Sequence, residues 1–307
     1  MDPAFALAAF VVGLCFGSFL NVCIYRLPRG MSVVAPRSSC PKCHLPIRWY
    51  DNVPVLSWLI LRGRCRDCHT GISPRYMAIE LLTGALFVLC YAKVGFNFAA
   101  LKCAVFGFLL LGLIFTDAET KLLPDKLTLS GLTLGLLFSV FVPVNDLATQ
   151  LMPGMFSLPV SSDVSWHLFS LVDAVLGAAV GASFIYGAGA IYLRWRGIEG
   201  MGFGDVKLMA MIGAFLGLRL TVFTLFAATL AGSIFGVGTM FVVWMKRTRR
   251  RVMRHHESLA QARRRAWQSA GMVYRYYQMP FGVFLGSMAL VAFFFGNDFL
   301  RWYWGLL

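Results

Sequence analysis

Eight long apolar runs constrain this chain more than any other feature, because inside a bilayer each backbone N–H and C=O must find its partner within the protein and a helix supplies those partners locally. A crossing of about 30 Å of hydrocarbon needs roughly 20 apolar residues. Runs near 4–25, 76–94, 97–116, 127–144, 167–193, 205–218, 220–245 and 281–297 meet or approach that length. The pattern predicts an all-α polytopic membrane protein of about eight transmembrane helices. The sixth run ends near Gly217 and is short for a full crossing, so it is expected to be re-entrant or joined to the seventh by a tight bend. Hydrophobic residues make up 58% of the chain and charged residues 14%, which excludes an ordinary soluble domain. The first run lacks a basic leader and a small-residue cleavage motif, so it is expected to stay as an anchor.

Lys and Arg are retained on the cytoplasmic side of short loops. With the N-terminus outside, eight alternating crossings leave only Lys93, Lys102, Arg219 and Arg301 of the 28 basic residues on or near the far side. The loop from Asn145 to Ser165 has no Lys or Arg, as expected of an external position. The net charge of +14 is therefore read as topology and contact with anionic lipids rather than as a nucleic-acid partner. The densest basic run, Lys246 to Arg265, continues through Trp267, Tyr274, Tyr276 and Tyr277. It resembles a basic helix lying on the membrane surface.

The eight cysteines divide into two groups. Cys15, Cys23, Cys90 and Cys103 lie in apolar helices and are expected to be small core residues. Cys40-Pro-Lys-Cys43 and Cys65-Arg-Asp-Cys68 form two C-x-x-C knuckles in the first hydrophilic loop, separated by 21 residues. Two knuckles can supply four thiolates to one tetrahedral Zn²⁺. A redox dithiol pair or two disulfides are the rivals, and a reducing cytosol disfavours both. His44 and His69 follow the knuckles, but four thiolates already close the site.

An intramembrane carboxylate is costly and points to function. Of fourteen acidic residues, Glu80, Asp117, Asp173 and Asp205 lie within or at the edge of apolar runs. Asp205 follows Gly202-Phe203-Gly204, where side-chain-free positions let a substrate backbone come close, and Lys207 sits just beyond. The structural alternative makes Asp205 a helix N-cap. Asp117 ends an apolar run and lies deeper than Glu119 or Asp125, which looks like the cap of the fourth span. Both carboxylates are expected at the cytoplasmic face. Two neighbouring carboxylates share a proton, the chemistry of aspartyl proteolysis. A transporter using Glu80 and Asp173 remains an alternative, as does a zinc-loop scaffold. The pairs Gly177/Gly181 and Gly213/Gly217 are read as helix-packing surfaces.

The chain resembles the type IV prepilin peptidases. The matching stretches are Gly17-Ser-Phe-Leu-Asn-Val-Cys-Ile-Tyr-Arg-Leu-Pro28, the knuckles around Tyr50-Asp-Asn-Val-Pro54 and Leu61-Arg-Gly-Arg-Cys65, Thr116-Asp-Ala-Glu-Thr120, Gly202-Phe-Gly-Asp-Val-Lys207 and Pro280-Phe-Gly282. The resemblance implies an inner-membrane aspartyl endopeptidase with catalytic Asp117 and Asp205 that removes a basic leader from prepilins and pseudopilins. It also implies N-methylation of the new amine from S-adenosylmethionine, to which the cysteine loop is expected to contribute. No dinucleotide-type glycine fingerprint marks a methyl-donor site. The expected organisation is a first helix in 1–25, a cytoplasmic four-cysteine zinc-binding loop domain in 26–75, a protease core in 76–245, a basic cytoplasmic segment in 246–279 and a last helix in 280–307.

Overall fold

The computed structural model describes residues 2–142, 165–197, 200–255, 258–275 and 279–304. Among these the regular elements are all helices, and the loops carry two isolated β-bridges. The long helices are α1 (Pro3–Arg26), α3 (Arg75–Val94), α4 (Phe98–Thr120), α5 (Asp125–Phe141), α6 (Ser165–Arg196), α7 (Phe203–His255), α8 (Leu259–Arg275) and α9 (Phe281–Val291). A short α2 (Leu56–Ile60) lies in the cysteine loop, and α10 (Asn297–Trp304) continues α9 through a π-helical turn, Ala292–Gly296. Residues 145–164 of the expected external loop, and Tyr276 and Tyr277, lie outside the described residues.

Among the described residues, six helices are long and apolar enough to cross a membrane: Pro3–Arg29, Pro74–Val94, Phe98–Thr120, His167–Arg196, Phe203–Met253 and Phe281–Tyr303. The two other runs have a structural identity as well. One is α5, of 17 residues. The other is the first leg of α7, which ends where Gly217 takes φ 76° and ψ 178°. Gly181 of α6 meets Met209 and Thr221, which lie on opposite sides of Gly217, so the chain doubles back there. Only glycine enters that backbone region without steric cost. The first leg, Phe203–Leu216, is about 21 Å long at 1.5 Å per residue, short of the hydrocarbon thickness.

Small residues set how closely the legs pack. A Cβ on Gly177 would lie 2.6 Å from the Gly213 carbonyl oxygen, and one on Gly213 would overlap the Gly177 backbone. Buried Asp173 accepts a 3.4 Å hydrogen bond from the Leu218 N–H, the first donor after the bend. Its carboxylate thus serves the backbone at the turn. Gly13 and Gly17 of α1 likewise press against Gly84 and Glu80 of α3, and Asn21 donates to the Tyr76 carbonyl at 3.0 Å.

Two expectations change. Cys90 and Cys103 are buried, but they are joined by a disulfide rather than serving as separate core residues. The short turn between α3 and α4 makes the helices antiparallel and puts these two positions at the same height, with Cα atoms 5.7 Å apart. The basic stretch is also not one surface helix. Residues up to His255 continue α7, and α8 folds back on them through an alanine seam of Ala262, Ala266 and Ala270, with Trp244 stacked edge-on against Trp267. Replacing Gly213 with Leu is expected to destabilise the fold by about 1–3 kcal/mol or more, because the added side chain meets backbone that cannot move aside. Thermal unfolding in detergent measures it.

Candidate active site

Asp117 lies in the last turn of α4, where the negative end of the helix dipole disfavours an anion. A second helix compensates. The Val283 N–H, at the start of α9, donates to the Asp117 carboxylate at 2.9 Å. That approach depends on Gly282, where a Cβ would lie 2.9 Å from Asp117 Oδ2. The Pro280-Phe-Gly282 motif is thus explained by contact: proline starts the helix and glycine lets its positive end reach the carboxylate. Nothing in local spacing pairs residue 282 with residue 117, so sequence reasoning gave Gly282 no role.

Asp205 is the third residue of α7, so its carboxylate also lies at a helix N-terminus. It is not the capping residue. Gly202 holds that place, its carbonyl accepting the Asp205 N–H at 3.0 Å. The two aspartates are both buried and lie within electrostatic reach of each other. Leu123 spans the gap between their supports: a Cβ on Gly204 would lie 3.1 Å from Leu123 Cβ, and one on Gly282 would lie 3.3 Å from Leu123 Cδ1. Gly202 is exposed and faces open space. Lys207 bonds Asp125 at 2.6 Å, pinning the start of α7 to the start of α5, and lies over the Phe203 ring. Phe203, Leu122 and Met201 leave an exposed apolar surface beside the pair.

The other acidic candidates hold the scaffold. Glu80 accepts the Val55 N–H at 2.8 Å, steadying a β-branched residue at φ 61°, a region such side chains rarely enter. Glu119 pairs with Arg75 and ties α4 to α3. Glu80 and Asp173, the acids of the transporter reading, each accept a backbone amide.

The cysteine loop brings its four thiols together. The sulfurs of Cys40, Cys43, Cys65 and Cys68 all lie within 4.8 Å of one another, so they could hold a metal ion. Cys40 and Cys68 Sγ are 3.7 Å apart, close to the roughly 3.8 Å edge of a tetrahedron with 2.3 Å metal–sulfur bonds. The knuckles share one design. His44 N–H donates to the Cys40 carbonyl and His69 N–H to the Cys65 carbonyl. Both histidines have positive φ, 59° and 53°, and each turn is closed by a β-bridge, Ser39 to Pro46 and Arg64 to Gly71. The histidines therefore serve as turn residues. The Thr70 hydroxyl and N–H pull the Cys68 thiol down to about 6, and the Cys43 and Lys42 backbone amides lower Cys40, which favours the thiolate a metal requires. Cys43 receives a favourable Leu45 N–H, yet burial and the neighbouring sulfurs push it up to about 12. The Arg66–Asp51 pair braces the loop at 2.6 Å, and the Arg66 hydrogen bond holds the Asp51 carboxyl below its usual range.

Comparison with known proteins gives a consistent result. The profile of the bacterial Peptidase A24 N-terminal domain matches residues 11–94, and that of the type IV leader peptidase family matches residues 103–237. A prepilin leader peptidase/N-methyltransferase of Myxococcus xanthus is 38% identical over 76% of this chain, and the match spans 63% of that protein's length. Its namesake in Neisseria gonorrhoeae is 37% identical, with 76% of this chain and 82% of the relative covered. The Aeromonas salmonicida protein of the same name is 31% identical over 96% of this chain and 92% of its own length. No solved structure matches the chain. With identity above 30% across nearly the full length of a relative, and with two adjoining family profiles matched in order, the chain belongs to the type IV leader peptidase family.

Proposed function

We propose that this multi-pass inner-membrane protein is an aspartyl endopeptidase that removes the basic leader of prepilins or pseudopilins, and that it N-methylates the amine so exposed. The observation that carries the reading is that buried Asp117 and Asp205 lie within electrostatic reach of each other, each beside a helix N-terminus, next to an exposed apolar surface and the exposed Gly202. One carboxylate takes a proton from water as its oxygen attacks the scissile carbonyl, while the protonated partner donates to the carbonyl oxygen. Collapse breaks the C–N bond and the leaving amine takes up a proton. The pair is expected to titrate as a unit. The positive helix ends favour a shared negative charge near both carboxylates. An apolar substrate helix would dock against Phe203 and Leu122, presenting its leader junction to the pair. S-Adenosylmethionine would supply the methyl group, in agreement with the names of the relatives. Prepilin substrates follow from the same names, and pseudopilins from the resemblance of the sequence motifs.

The cluster of four cysteines is read as a structural zinc site, since four thiolates leave no open position for substrate. With the N-terminus outside and the two legs of α7 forming a hairpin, both the cluster and the aspartate pair are read at the cytoplasmic face. Cysteine chemistry supports that orientation independently. The four loop thiols lie at one end of α3 and the Cys90–Cys103 disulfide toward the other, as a reducing and an oxidising compartment would dictate.

Incubating the purified protein in detergent with a prepilin and S-adenosylmethionine, and following both cleavage and methyl incorporation, tests the reading. Asp117→Ala and Asp205→Ala are each expected to abolish cleavage; full cleavage by either would sink the pair as catalysts. Gly282→Val, which drives a side chain into the Asp117 carboxylate, is expected to lower the cleavage rate by about 10²-fold, the scale of a misplaced catalytic group. Wild-type rates there would remove the Val283 contact from the mechanism. Cys40→Ser with Cys43→Ser is expected to release the metal and destabilise the loop, which metal analysis and limited proteolysis would detect. An unchanged zinc content would rule the site out.

A further inference from the structure

The face of α1 turned away from the bundle carries a built feature that peptide cleavage does not use. Gly13, Gly17, Leu20 and Ile24 form the stripe that packs inward. On the opposite stripe, at helical spacing, Ser18, Val22 and Arg26 line a cavity of about 370 Å³ together with Phe19. The linker that follows α1 closes it with Arg37 and Ser38. Arg26 is fixed in place, donating to the Ser32 and Pro36 carbonyls at 2.9 and 2.8 Å, and its guanidinium keeps further donors.

We propose that this cavity binds an anionic phospholipid from the leaflet on the side of the cysteine loop, with the phosphate at Arg37, Arg26 and Ser38 and an acyl chain along Val22 and Phe19. Charge complementarity carries the choice of occupant. Among the described residues no acidic side chain lines the cavity; Asp51 of the loop is paired with Arg66, and Glu80 of α3, which touches the wall through the Ser18 hydroxyl, also accepts the Val55 N–H. The polarity is graded along the helix. From Arg26 down to Cys15, also on the wall, is about 16 Å at 1.5 Å per residue, which suits a headgroup and the upper part of one chain. The volume falls in the range of small-ligand sites, and an amphiphile leaves the rest of its tail in the bilayer. Arg29 over the Tyr25 ring, 4.1 Å from its centroid, is the kind of aromatic and basic pair found at the membrane–water boundary, at the height where the phosphate would sit. A free phosphate would use the upper half of the cavity and leave the apolar half empty.

The test is native mass spectrometry of the detergent-solubilised protein titrated with phosphatidylglycerol. Arg37→Glu is expected to weaken lipid retention about tenfold. Val22→Trp, which fills the cavity without changing charge, should give the same loss. Arg250→Glu, an identical charge change on the exposed end of α7, should retain lipid as the wild type does, and the melting temperature of each variant checks the fold. Equal loss in Arg37→Glu and Arg250→Glu would reduce the effect to bulk charge and overturn the proposal. So would unchanged binding in Val22→Trp, or displacement of the lipid by millimolar inorganic phosphate, which would mark a site for soluble anions.

Discussion

The arrangement of the candidate site depends on a hydrogen bond that sequence does not advertise, from the N–H of Val283 to the carboxylate of Asp117. A carboxylate in the last turn of an apolar helix has the dipole of that helix against it. By bringing the start of α9 to the same point, the fold replaces an unfavourable helix end with a favourable one, and Gly282 makes the replacement sterically possible. Asp205 needs no such help, because it already opens its own helix. Each aspartate thus lies beside a helix N-terminus, Asp117 beside that of α9 and Asp205 within that of α7. The core that packs α4, α5, α7 and α9 together keeps those ends in register, with Phe106 and Phe215 stacked at 4.6 Å near its centre.

Much of this was legible from residues alone, for reasons of period and cost. Apolar length located the helices, and the expense of a buried carboxylate singled out Asp117, Asp205, Asp173 and Glu80. Cysteine spacing found the four-thiol cluster because both knuckles are local turns. Contacts between segments distant in the chain stayed hidden. Spacing does not show that residue 282 touches residue 117, that Leu123 lies between two glycines, or that Asp173 serves the amide after Gly217. The Cys90–Cys103 pairing lay closer to view, since both positions stand at equal distance from a short turn, but apolar surroundings suggested packing instead. The basic stretch was read by charge, whereas its alanine seam decides its structure.

Polar contacts tie the cysteine loop and its linker to the membrane helices. Glu80 reaches from α3 to Val55, Arg75 pairs across to Glu119 two residues beyond Asp117, and Arg26 gathers the linker carbonyls. Each of these polar groups would be expensive if left unpaired at the membrane boundary. Together they explain how a small loop with little apolar core of its own keeps a defined position above the bundle.

The long second leg of α7 has a further consequence. From Leu218 to His255 it is one uninterrupted helix, roughly 57 Å long at 1.5 Å per residue, so about half of it exceeds what the hydrocarbon layer can hold. A span longer than the local bilayer adjusts by tilting, and the degree of tilt follows bilayer thickness. Because no hinge separates the buried part from the projecting part, and α8 is packed along the latter, the angle at which this arm stands off the surface is set by the thickness of the lipid around the enzyme.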